Sequence, residues 1–216
     1  MRRLFLSLTV LLPLNAFALN ITSLPSGMCP LDVSKPAERS MFEALQGAIQ
    51  GGNHLVVAFA NCDELSALAQ NKRDNLMHYG TILEQKTQLD MDRAAYLTMA
   101  TKMINTNPNL MAQGMAQASA AADQALADGS MEGKGTVQAA AQGVIFQNEN
   151  VVLLSVLQSH EVGGKRIQVA SVAGITLVGK SPVTINLYAP AADPNVASRE
   201  GDLIVTFAPK LIAANP

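Results

Sequence analysis

Four runs rich in β-branched residues, crowded into the last third of the chain, constrain its fold more than any other feature. They are Val137 to Ile145, Val151 to Ser159, Arg166 to Val178 and Val183 to Tyr188. Gln147-Asn148-Glu149-Asn150 and Gly163-Gly164 punctuate them as hairpin connections, too short for the crossover that parallel strands require. Successive strands must then lie antiparallel. Gly174 inside the third run marks a bulge or a bend, and Ala189 to Pro194 reads as a loop. From about Asn195, Val196, Leu203, Ile204, Phe207 and Leu211 recur near helical spacing, and Pro209 predicts a kink or an early end of that helix.

The preceding part of the chain is mostly helical in texture. Ser34 is placed to cap a helix with Pro36 and Glu38 in its first turn. Met41, Phe42, Leu45, Ala48 and Ile49 form its apolar stripe, and Gly51-Gly52 stops it. His54 to Ala60 is a short apolar run of β-formers and reads as a buried strand. Asp63 caps a short helix carrying Leu65 and Leu68, while Leu76 to Leu83 is ambiguous and admits a strand. Helical pattern returns from Asp90 to about Ile104. Asn105 to Asn109 breaks it, and Asn107-Pro108 opens a further, alanine-faced helix to about Ala127. Gly129 to Thr136 is a glycine-rich loop. Strands with short connections, and helices grouped elsewhere, predict an α+β fold: an antiparallel β-sheet packed against helices as an α/β sandwich, a single domain over residues 19–216.

At the start of the chain, Arg2 and Arg3 precede an apolar run from Leu4 to Leu14, and Ala16-Phe17-Ala18 supplies a small-x-small cleavage pattern. Residues 1–18 therefore read as a signal peptide cut after Ala18. The apolar run is about half the ~20 residues of a membrane-spanning helix. Arg2-Arg3-Leu4-Phe5-Leu6 resembles the twin-arginine export pattern, but its position at the extreme terminus and the leucine-rich run behind it suit ordinary unfolded export. A lipid anchor is not expected, because the first cysteine, Cys29, lies eleven residues past Ala18 and follows the bulky Met28. The expected location is periplasmic or secreted, with no transmembrane segment after signal cleavage.

Two cysteines, Cys29 and Cys62, follow the leader. An even count in an oxidising compartment predicts a disulfide between them. A catalytic thiol at Cys62, with Asp63 and a histidine beside it, is the alternative. It needs a lowered pKa, and the neighbouring carboxylate acts in the opposite direction.

The formal net charge is −2, without runs of like charge, and tryptophan is absent. Neither a basic nucleic-acid footprint nor an aromatic stacking platform is expected. Gly174 to Ser181 matches the phosphate-loop pattern in letters, yet its inner residues Ile175, Thr176, Leu177 and Val178 prefer extended structure. Pro182 and another strand-like run stand where the helix should begin. A hairpin turn at Gly179-Lys180 is expected, with no bound nucleotide. His54, His78 and His160 lack zinc spacing with one another and with the cysteines. His78-Tyr79 is the best candidate for a polar site. Met99/Met103 and Met111/Met115 are i, i+4 pairs, with Met91 nearby. Such pairs usually fill cores, and the expectation is burial; as free thioethers they would bind Cu(I). Asn20-Ile21-Thr22 is a glycosylation sequon in hosts that modify exported chains.

The stretches VQAAAQGVIFQNENVVLLSVLQ and VASVAGITLVGKSPVTINLYAP, with an end near LIAAN, resemble small extracytoplasmic proteins of proteobacteria and, across about the last 80 residues, the PsbP-like α/β sandwich. That resemblance implies binding and assembly rather than catalysis, and no site residue transfers through it. The reading is a non-catalytic cell-envelope protein that binds a partner protein, with no catalytic, cofactor or metal residues assigned. A small-ligand or copper-binding periplasmic protein, and a thiol-dependent enzyme or hydrolase built on Cys62, are the alternatives.

Overall fold

A computed structural model describes residues 19–49, 52–73, 76–107, 137–162 and 165–216. The expected signal peptide, Gly51, the helix expected from Asn107-Pro108 to Ala127, Met111, Met115, the expected Gly129 to Thr136 loop and the expected Gly163-Gly164 turn fall outside those residues or largely so. Within them lie strands β1 (Met28–Pro30), β2 (Asn53–Asn61), β3 (Tyr79–Gln85), β4 (Val137–Gln147), β5 (Val152–Val162), β6 (Lys165–Val178) and β7 (Ser181–Pro190). The helices are α1 (Pro36–Gly47), α2 (Cys62–Ala69), α3 (Arg93–Thr106) and α4 (Val196–Ala213). The strands form one sheet in the order β1-β2-β3-β7-β6-β5-β4, and every neighbouring pair is antiparallel. This is the expected α+β sandwich.

Alternate side chains on each strand leave by opposite faces. One face carries Phe59, Ile82, Val172, Ile185 and Leu187, which pack against Ile204, Phe207 and Leu211 of α4. On the other face, Ala58 and Ala60 meet Leu65 of α2 and the Met41, Phe42 and Leu45 stripe of α1. Further along that face, Val152 and Leu177 meet Tyr96 and Leu97 of α3.

Several local expectations need correction. The first helix begins after Lys35, not Ser34. Asp32 Oδ1 accepts from both the Ser34 N–H and hydroxyl, so that hydroxyl is already engaged. No side chain caps the helix; the buried Glu38 in its first turn instead reaches back to the Asp32 N–H at 2.7 Å and ties down the loop before it. The α2 cap is Asn61 rather than Asp63: its Oδ1 accepts from the Asp63 and Glu64 N–H groups at 3.0 and 3.1 Å. The ambiguous segment resolves as β3. Gly174 is no bulge, since Leu153, Gly174 and Ile185 stay in continuous register. A Cβ there would collide with Ile204 Cγ2, so this glycine lets α4 settle on the sheet. Pro209 does not end α4, which continues to Ala213. Buried Phe207, Ala208 and Leu211 flank the proline, and their packing outweighs the ~3 kcal/mol such a residue costs a helix.

The phosphate-loop lookalike is a hairpin, as expected. Val178 pairs with Ser181, leaving Gly179 and Lys180 as the turn, with Gly179 at φ +57°. The Lys180 ammonium donates to Asp90 Oδ1 at 2.8 Å, and strand β7, not the helix a phosphate loop requires, follows the turn.

Candidate functional site

Cys29 and Cys62 are bonded, with Cα atoms 5.1 Å apart. Cys29 pairs with Ala60 in the sheet, and Cys62 is the first residue of α2. The bridge therefore pins the edge strand β1 to the start of α2. With both sulfurs bonded, no thiolate is available at Cys62 for nucleophilic chemistry.

Just beyond the bridge, Glu64 organises a polar cluster. Its Oε2 accepts from the Met77 and His78 N–H groups at 2.8 and 3.0 Å. Its Oε1 lies 2.9 Å from His78 Nδ1 and 2.8 Å from an Arg73 guanidinium nitrogen. Burial alone would push the Glu64 carboxyl up. The donors from His78, Met77 and Arg73 outweigh burial and hold it below its ordinary value. His78 is thus a positioned imidazole, but the pairing saturates Glu64, and among the described residues no nucleophile is hydrogen-bonded to the ring. The cluster closes the α2–β3 connection. His54 Nε2 lies 3.4 Å from Glu84 Oε2 in the sheet, and the side chain of His160 is outside the described residues.

Tyr79 stacks on Tyr188 across strands β3 and β7, with ring centroids 4.8 Å apart. Burial raises both phenols, most strongly Tyr79, so neither supplies a phenolate. Beside them Asn186 donates to Thr81 Oγ1 at 3.1 Å. This polar strip satisfies itself.

Glu200, in the first half of α4, is 2 % exposed. Arg199 Nε donates to its Oε1 at 3.3 Å, while Oε2 has no hydrogen-bond partner. Burial pushes this carboxyl up, against the pull of Arg199 and His78. Arg199 also binds Asp193 at 2.7 Å and borders an open cleft of about 550 Å³ along α4, floored by Leu24, Leu203 and Phe207. Arg199 is held by Asp193 and Glu200, while Asp202 and Lys210 also edge the opening. Among the described residues no three His, Cys, Asp or Glu side chains could jointly hold a metal ion.

The methionine expectation is overturned where it can be checked. Met99 and Met103 are 38 % and 44 % exposed, because Tyr96 and Leu97 are the residues α3 turns to the sheet. Ile145 and Phe146 on β4 are 41 % and 42 % exposed, and Thr101 Oγ1 donates to Gln147 Oε1 at 2.9 Å, which ties α3 to the end of β4 by the side opposite Met99 and Met103, since residues two apart lie on different faces of a helix. Four of the five large apolar side chains exposed among the described residues therefore lie on two adjoining elements. Sequence reasoning missed the exposed Ile145 and Phe146 pair. Its signal was Val144-Ile145-Phe146, three apolar residues in succession where one buried face accommodates alternate positions only.

No described helix is long and apolar enough to cross a membrane. Comparison of the chain with protein-family models, with curated proteins and with solved structures finds no match in any of the three.

Proposed function

We propose that this chain is a non-catalytic protein of the cell envelope, periplasmic or secreted, that works by binding a protein partner. The observation that carries the reading is the pair of successive exposed apolar side chains on β4, Ile145 and Phe146, with a second exposed apolar pair, Met99 and Met103, on α3. Apolar side chains grouped on adjoining elements mark contact surfaces on otherwise polar exteriors. The bonded Cys29–Cys62 pair supports an oxidising location, as does the leader pattern of residues 1–18. Among the described residues, Glu64 is taken up by Met77, His78 and Arg73 and both cysteine sulfurs are bonded, which is consistent with binding rather than catalysis.

A photoreactive residue placed at position 146 in intact cells tests this. One defined protein adduct is expected at 146, and none at the exposed Glu43 on α1. Equal labelling at the two positions, or no adduct at 146, contradicts the reading. Two exposed thioethers one helical turn apart favour a second reading, Cu(I) binding at Met99 and Met103. Competition against a Cu(I) chelator would show one tight equivalent, lost on Met99→Leu with Met103→Leu.

A further inference from the structure

The open cleft along α4 has two walls. One is α4 itself, where Ser198, Asp202, Thr206 and Lys210 recur four residues apart and so share a side of the helix. The other is the segment Leu24-Pro25-Ser26. That segment is fixed in place before any ligand arrives. Leu19, Ile21 and Leu24 pack against the main core. Asn215 clasps the backbone of Asn20: its Oδ1 accepts from the Asn20 N–H at 2.6 Å, and its Nδ2 donates to the Asn20 carbonyl oxygen at 2.9 Å. Leu24, Leu203 and Phe207 make the floor apolar, and a volume of about 550 Å³ is that of a preformed small-ligand site.

The charges at the opening select what fits it. Arg199 already binds Asp193 and Glu200, so it is not free to hold an anion. Asp202 and Lys210 take part in no salt bridge among the described residues. They lie eight residues apart in α4, which at 1.5 Å per residue is about 12 Å along the axis. Leu203 and Phe207 come between them. A simple anion or cation would answer one of these charges and meet the other as its like, and a hydrocarbon would answer neither. A molecule with an ammonium and a carboxylate about 12 Å apart, and an apolar group between, answers both charges and the floor. An extended peptide advances about 3.3–3.6 Å per residue, so three or four residues span that distance. We infer that the α4 cleft binds a short peptide with free ends. Asp202 takes the α-amino group, Lys210 takes the α-carboxylate, and an apolar side chain rests on Leu203 and Phe207. The site shares no residue with the Ile145 and Phe146 pair, and the inference goes beyond the protein-binding reading.

Calorimetric titration of the purified chain with the tetrapeptide Ala-Leu-Leu-Ala, in free, N-acetylated and C-amidated forms, tests the inference. Saturable binding of the free peptide with a Kd below about 1 mM is expected. Blocking either end should weaken it about two- to fivefold, the scale of exposed ion pairs. In Asp202→Asn the acetylated and free peptides should bind alike, and in Lys210→Gln the amidated and free peptides should bind alike, because the matching charge is already gone. Both side chains are exposed, and far-UV circular dichroism verifies that each variant is folded. Glu43→Gln on α1 should change nothing. The blocked forms also separate a free peptide from an internal segment of a longer chain, which has neither end charge. Absence of saturation at millimolar peptide overturns the inference, as does binding indifferent to both ends. The probe at position 146 reports on a different surface, so neither failure decides the protein-binding reading.

Discussion

Removing the Cys29–Cys62 bridge should lower stability by an amount that its place in the chain allows to be worked out. The bonded residues are 33 apart in sequence, and closing a loop of that size removes chain entropy worth about 3.7 kcal/mol at 25 °C from the unfolded state. For a domain of this size each kcal/mol moves Tm by about 2–4 °C, so the loss corresponds to about 7–15 °C. The structure adds a local prediction. β1 makes only three residue pairs, all with β2, and Cys62 opens the helix that presents Glu64 to His78. Without the bridge, β1 and the start of α2 should exchange amide protons faster than β3 or β7. The assay is thermal melting by circular dichroism for wild type, Cys29→Ser, Cys62→Ser and the double variant, with thiol labelling to verify redox state. The single variants should match one another and the double variant should cost little more, because all three remove one shared bond. Unchanged melting on reduction, or additive losses in the double variant, would refute the reasoning.

Glu200→Gln should stabilise the protein at neutral pH. The folded carboxyl is held above its ordinary value, so the folded state keeps its proton to higher pH than the unfolded chain does. Wild type therefore loses stability as pH rises through the range above the ordinary glutamate value near 4.5. Urea midpoints should show the gap between variant and wild type widening from pH 4.5 to 7.5; a gap independent of pH contradicts the burial argument. Gly80→Ala would set a Cβ 2.6 Å from the buried Phe59 ring and against the Asn186 carbonyl oxygen. A loss of about 1–3 kcal/mol is expected by denaturant unfolding, with Gly52→Ala as a control that meets no neighbour, though its positive φ carries a strain of its own. Asn61→Ala removes the acceptor of two α2 amides and should cost about 1 kcal/mol in the same assay.

Much of the fold was legible because strand and helix periods are local. The β-branched runs from Val137 to Tyr188 became β4 to β7, and the Met41, Phe42 and Leu45 stripe became the inner face of α1. The errors arose where neighbouring residues of like chemistry compete. Asp32 engages Ser34, and Asn61 reaches the α2 amides ahead of Asp63. Pro209 does not end α4 and Gly174 forms no bulge, because tertiary packing, the seating of α4 on β6, decides what each residue does there. The disulfide was readable from parity and compartment alone. The Glu64–His78 pair was not: fourteen residues separate the partners, and only the docking of β3 beside β2 brings them together. Glu200 left a readable trace, since it stands four residues before Ile204 on the stripe that α4 buries. The exposed methionines were misread because helical spacing alone does not say which stripe of α3 faces the sheet.

Photocrosslinking in intact cells from positions on β4 tests the central claim most directly. If the exposed pair on β4 is part of the contact surface, probes at Ile145 and Phe146 each capture the same protein, while a probe at the exposed Glu43 on α1 captures none. Equal labelling at all three positions, or no adduct at 145 and 146, would contradict the account.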